Sequence, residues 1–171
     1  MRKRYYLLMN QETKNTNKKN HAQVKTIPPL IPLAFIVLSW LLQRYVYPLA
    51  IPLPINVQMI IAGIFMFCAS VLFAFSLYFF FKTRQNPEPH TPTNALYTGG
   101  IFKLTRNPIY LGFLCAQVVV AVKLNNLYVI LTIPLVFWII TKWAIKPEET
   151  YLEQLFGQDY LDYKQKVRRW L

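Results

Sequence analysis

Acidic residues are scarce in this chain: seven Asp and Glu stand against 19 Lys and Arg, and charged residues make up only 15% of its 171 positions. Soluble domains carry roughly 25% charged residues, so the composition argues against an ordinary soluble domain. Glycine is scarce too. The five glycines, at 63, 99, 100, 112 and 157, contain no GxGxxG, and without that turn a Rossmann-type site is excluded. Only two cysteines occur, Cys68 and Cys115, both in apolar stretches without CxxC spacing or a neighbouring histidine. They read as core cysteines, neither metal ligands nor a disulfide, and no metal is expected.

Apolar residues are abundant, at 54%, and they are clustered. Met59 to Phe81 is 23 residues without a charge, and Ile27 to Gln43 is another 17. A bilayer core takes roughly 20 apolar residues per spanning helix, so both are candidate spans. Two further stretches, Ile109 to Val122 and Leu124 to Thr141, are 14 and 18 residues long, with Lys123, Asn125 and Asn126 between them. They predict a tight helical hairpin; a full crossing and a re-entrant hairpin both fit these lengths. The first 26 residues are polar and basic, with no small-residue cleavage site after a short apolar core, and are not expected to act as a cleavable signal peptide.

Lys and Arg set the orientation. Residues 1–26 carry seven, 82–107 four and 142–171 six, so four crossings put 17 of 19 on one side. The positive-inside rule makes that side the cytoplasm, with both termini in it. The +12 net charge is then a consequence of topology with some attraction to anionic lipid, and no nucleic-acid partner is expected. The expected fold is an all-α integral membrane protein of about four transmembrane helices plus a cytoplasmic amphipathic C-terminal helical segment. A basic arm, 1–26, precedes a single membrane domain, 27–171.

That C-terminal segment has its own punctuation. Pro147 suits a first helical position, with Glu148 and Glu149 in the favourable first turn. Gly157 is a natural stop, Asp159 can cap a second helix, and Tyr160, Tyr163 and Val167 form its apolar stripe. The pattern predicts an amphipathic segment lying on the cytoplasmic bilayer surface.

The polar residues that could do chemistry concentrate in 84–110 and 142–169. Here LYTGGIFKLTRNPIYLG, followed some forty residues later by PEETYLEQLFGQDYLDYKQKVRRW, resembles the isoprenylcysteine carboxyl methyltransferase family and its bacterial relatives. These are membrane methyltransferases similar to phospholipid N-methyltransferases. The resemblance covers about residues 85–170. It implies S-adenosyl-L-methionine as cofactor, a lipophilic methyl acceptor entering from the bilayer, and a multi-pass protein of the bacterial inner membrane type.

S-adenosylmethionine carries a sulfonium, an adenine, an ammonium and a carboxylate, so its site needs an apolar slot, an acid and a cationic donor. Carried over by resemblance, Asn94, Ala95, Leu96 and Tyr97 line the cofactor pocket with Phe102, Asn107, Pro108, Ile109 and Tyr110. Glu148 holds the methionine ammonium, and Arg106 is its carboxylate partner on charge grounds. Arg106, Tyr110 and Glu149 are the expected catalytic residues; Glu149 and His90 are the candidates for removing a proton from a thiol or amine acceptor. Catalysis is expected to be mainly orientation, which can contribute ~7–11 kcal/mol. Three positions depart from the family pattern: Asn107 replaces a His, Phe102 a Tyr, and Ala144 an Arg that prenylcysteine enzymes direct at the substrate carboxylate. Methylation of a phospholipid amine or small thiol, and a non-catalytic membrane protein keeping the fold, are the alternative readings.

Overall fold

The computed structural model describes residues 27–82 and 96–171. The basic arm 1–26 lies outside the described residues, as does the segment holding His90, Asn94 and Ala95. Every regular element among the described residues is helical: α1 (Leu30–Tyr45), α2 (Ile55–Lys82), α3 (Pro108–Lys123), α4 (Leu127–Ile140), α5 (Lys146–Phe156) and α6 (Gln158–Lys166). A 3-10 turn at Gly100–Lys103 precedes α3, and a π-helical turn at Thr141–Ile145 joins α4 to α5.

α3 is the central helix. It lies against α2, α4 and α1, and nine of its sixteen residues are buried. α2 is apolar on every side and buries only five of 28 residues, leaving Phe67 71% and Ile60 63% exposed. So large an uncovered apolar surface suits hydrocarbon, not water. α2 and the continuous rod Leu127–Phe156 are each long and apolar enough to cross a membrane, whereas α1 and α3 are shorter apolar helices.

The proline and asparagine signals act where the sequence puts them. Pro29 caps α1 and Pro32 falls in its first turn, where no helical N–H is lost. The proline-rich connection 46–54 is irregular. At the hairpin tip Asn125 takes a positive φ of 43°. Asn126 caps α4 by accepting from Tyr128 N at 2.9 Å, and its Nδ2 donates to Ser39 O at 2.9 Å. The tip is also bound to the α1–α2 connection: Leu127 N donates to Leu49 O at 2.9 Å and Ile51 N to Asn125 Oδ1 at 3.1 Å.

Several expectations are corrected. Cys115 is buried but Cys68 is exposed, and both are free; α2 is apolar all round, so lying in an apolar run does not mean lying in the core. The C-terminal segment does not start afresh at Pro147. It continues α4, and the Lys146 N–H bonds back five residues to Thr141 O. Pro147 has no N–H and its ring crowds the carbonyl four residues earlier, so a widened turn just before it is the physical consequence. Gly157, at φ 53°, ends α5, but α6 starts at Gln158 with no side-chain cap, leaving Asp159 in its first turn. The apolar stripe of the tail also turns inward. Tyr160, Tyr163 and Val167 pack on Phe102, Leu96, Tyr97 and Phe79, so the protein covers the stripe that was expected to face the bilayer.

Gly100 is where this inner packing is tightest. Its φ is +56°, and a Cβ there would lie 2.4 Å from the Phe79 ring. The left-handed backbone alone is expected to make Gly100→Ala destabilising by roughly 1–2 kcal/mol. Displacement of Phe79, which meets the Tyr97 and Phe102 rings edge-on, adds to that. Thermal unfolding of the full chain in detergent reads the loss; an unchanged midpoint would show that the turn rearranges freely.

Candidate active site

The turn Thr105–Asn107 is held from below by the end of the chain. Arg106 N donates to Arg168 O at 3.1 Å. Thr105 Oγ1 and Asn107 Nδ2 both donate to Arg169 O, at 3.2 and 2.8 Å. Thr105 Oγ1 also accepts from Asn107 N at 3.1 Å. Asn107 occupies the position before α3 without a side-chain cap bond, and Pro108 lies in the first turn, a placement proline's fixed φ and missing N–H favour.

Two adjacent acids leave α5 in different directions, because successive helical residues are about 100° apart. Glu149 faces the turn and is buried. Its Oε1 lies 3.1 Å from Arg106 Nη1, and it takes Arg169 in a fork, Nε to Oε1 at 2.9 Å and Nη2 to Oε2 at 2.7 Å. That charge-assisted bond to Glu149 raises the basicity of Arg169. Arg106 Nη1 also donates to the Tyr160 hydroxyl at 3.2 Å, while Arg106 Nε is buried with no hydrogen-bond partner among the described residues. Burial, and then the Glu149 charge, push the Tyr160 hydroxyl well above its ordinary value. Tyr163, which donates to Phe102 O at 2.7 Å, is pushed up to about 12 by burial.

Glu148 faces the other way, into a cavity of about 440 Å³. Its Oε2 accepts from the Tyr110 hydroxyl at 3.0 Å, and no cation among the described residues pairs with it. The cavity walls are Ile27, Pro28 and Pro29 ahead of α1, Phe73, Leu77 and Phe80 on α2, Phe102, and Pro108, Ile109, Tyr110 and Phe113 on α3. Arg106, Asn107, Glu148 and the Tyr110 hydroxyl are the polar side-chain groups of its lining residues. The result is an apolar recess with one acid and one guanidinium in its lining.

Of the residues expected at the site, the fold gathers Phe102, Arg106, Asn107, Pro108, Ile109, Tyr110 and Glu148 around this cavity. Leu96 and Tyr97 pack behind Phe102, with Tyr97 stacked on it at 5.6 Å. Glu149 stands outside the lining, held between the two arginines. Asn94, Ala95 and His90 lie outside the described residues. No site role follows from sequence for Arg169 or Tyr160, nor for the wall residues Phe73, Leu77, Phe80 and Phe113. Phe73, Leu77 and Phe80 fall at i, i+4 and i+7, one helical face, but α2 is apolar all round, so that spacing carries no signal of which face meets the site. Among the described residues no three of His, Cys, Asp and Glu gather to hold a metal.

The fold and site together define a protein that is helical in its described residues, with outward apolar surfaces and an apolar recess that presents an acid and an arginine. The chain belongs to the phospholipid methyltransferase family, whose model matches residues 57–159, in agreement with the resemblance carried by the two motifs. It is 40% identical over 78 residues to a probable protein-S-isoprenylcysteine O-methyltransferase of Oryza sativa subsp. indica, covering 46% of this chain and 41% of that protein. Over 84 residues it is 36% identical to protein-S-isoprenylcysteine O-methyltransferase A of Arabidopsis thaliana, covering 49% and 41%. It is also 41% identical over 63 residues to an uncharacterized protein of Haemophilus influenzae, covering 37% of this chain and 100% of that one. The match thus spans about two fifths of the plant relatives' length. No solved structure matches the chain.

Proposed function

We propose that the chain is a membrane methyltransferase that uses S-adenosyl-L-methionine to methylate a lipophilic acceptor. One observation carries this reading: Arg106, whose Nε is buried without a partner, and Glu148, whose carboxylate has no cation among the described residues, both line a largely apolar cavity. A buried unpartnered donor is costly, by about 1–3 kcal/mol, and is rarely left without a reason. Glu148 and Arg106 are complementary in charge to the ammonium and carboxylate of an amino acid, so the methionine end of the cofactor fits. When bound, the cofactor supplies an electrophilic methyl on a sulfonium. Tyr110 orients the Glu148 carboxylate, and Phe73, Leu77, Phe80 and Phe113 keep water from the recess. Glu149, occupied by two arginines, is a structural anion in this reading rather than a base.

Four crossings are the topology this reading uses, with α1, α2, α3 and the apolar part of the α4 rod as spans. A full crossing of the hairpin is supported by its tip, which is hydrogen-bonded to the α1–α2 connection. At 16 residues, α1 and α3 rise only about 24 Å, so thinning of the local bilayer and snorkelling of Arg44 and Lys123 are part of the picture. Reporter fusions at Gln85 and Leu171 should both report the cytoplasm, and one near Ile51 the opposite side. A C-terminus on the far side would overturn this topology.

For the acceptor, a membrane lipid is favoured over a prenylcysteine carboxylate, although the plant relatives are named for isoprenylcysteine. Ala144, where the resemblance expects arginine, is fully buried among Ile31, Val136 and Ile140. Lys142 lies over the Trp138 ring at 4.8 Å, and neither it nor Lys146 lines the cavity. The fork that would both neutralise and orient a substrate carboxylate is missing from that position. The test incubates the full chain in detergent with methyl-labelled cofactor and either a membrane lipid extract or N-acetyl farnesylcysteine. Label in a lipid, with little in the farnesylcysteine, is the expected result; the reverse would assign the acceptor to the prenylcysteine class, and label in neither would defeat the enzyme reading.

A further inference from the structure

The last residues of the chain form a strap across the site. Val167 is extended (φ −125°, ψ 131°) and buried beside Phe102 and Tyr163. Trp170 stacks on Phe137 of α4 at 4.5 Å. Between these anchors the carbonyls of Arg168 and Arg169 accept three hydrogen bonds from the Thr105–Asn107 turn. Among the described residues, Arg169 is the strap side chain that reaches inward to an acid, and it takes both oxygens of Glu149.

That fork decides what Arg106 can do. Both side chains are buried, Arg106 at 7% and Glu149 at 9% exposure, so their charges must be matched locally. With Arg169 on both carboxylate oxygens, Arg106 engages Glu149 through Nη1 alone and its Nε stays unpartnered. Without Arg169, Glu149 would have a single cation within reach, and the geometry that best satisfies such a pair is the two-point fork. Arg106 would then turn its Nε–Nη edge onto Glu149 and draw its guanidinium away from the cavity.

Resting on the cofactor reading above, we infer that Arg169 is a positioning residue: by saturating Glu149 it keeps Arg106 available to the carboxylate of the methyl donor. The strap holds Arg169 in place, so the end of the chain belongs to the donor site although it lines none of the cavity.

The test compares two ligands on the full chain in detergent: S-adenosylmethionine, and its decarboxylated form, which keeps the sulfonium, adenine and amine. In Arg169→Ala the affinity for S-adenosylmethionine should fall about tenfold, the scale of one charge-assisted hydrogen bond, with the decarboxylated ligand changing less than about twofold by the same reasoning. Arg169→Lys keeps the charge without the fork and should show a smaller loss with the same selectivity, which guards against simple unfolding of the alanine variant. Equal weakening of both ligands in both variants, or no weakening of either, overturns the positioning role. Failure of the unaltered chain to bind S-adenosylmethionine overturns the cofactor reading itself, a distinct result.

Discussion

Glu149→Ala is expected to destabilise the folded protein by about 3–5 kcal/mol, because removing one partner of a buried ion pair strands the other's charge. The Arg106 side chain, 7% exposed in the unaltered protein, would keep the Tyr160 hydroxyl as its side-chain hydrogen-bond partner among the described residues, and Arg169 would lose both its bonds to the carboxylate. The loss should extend past α5, since Arg169 is part of the strap that fastens the Thr105–Asn107 turn. Denaturant unfolding of the full chain in detergent measures the change. A paired replacement, Glu149→Leu with Arg106→Met, should cost much less than the single one, because it removes both charges together. A single variant within about 1 kcal/mol of the unaltered chain would mean that water or lipid headgroups reach Arg106, against the burial described here.

The second large effect is on binding. Glu148→Gln keeps the shape of the side chain and an oxygen to accept from Tyr110, but removes the negative charge. A hydrogen bond to a charged group contributes ~1.5–3 kcal/mol, so affinity for S-adenosylmethionine should fall by about ten- to a hundredfold. Stability should change little, because Glu148 has one hydrogen bond and no ion pair among the described residues. Titration calorimetry in detergent, with unfolding measured on the same sample, separates the two quantities. Unchanged affinity in a folded variant would reduce Glu148 to a residue of the α5 first turn. The contrast between neighbours is the sharper outcome: Glu149 should matter mainly to stability and Glu148 mainly to binding.

Local features of the chain determined much of this protein by sequence alone. The uncharged run ending at Phe81 produced α2, Asn125 and Asn126 the tight tip, Gly157 the break between α5 and α6, and two motifs the family. Each acts through neighbours in sequence: apolar runs, a cap, a positive φ. What tertiary structure decided were questions of direction. Glu148 and Glu149 are chemically alike, and only the π turn before Pro147 and the positions of Tyr110 and Arg169 send one to the cavity and the other to the arginines. Cys68 and Phe73 lie on the same evenly apolar helix, where sequence carries no mark of which side faces the protein. The stripe of Tyr160, Tyr163 and Val167 signals burial but not the surface it meets, and here Phe102, some sixty residues earlier, takes the place of lipid. Burial pairs an apolar face with whatever surface the fold brings near, and that choice is made by contacts distant in sequence.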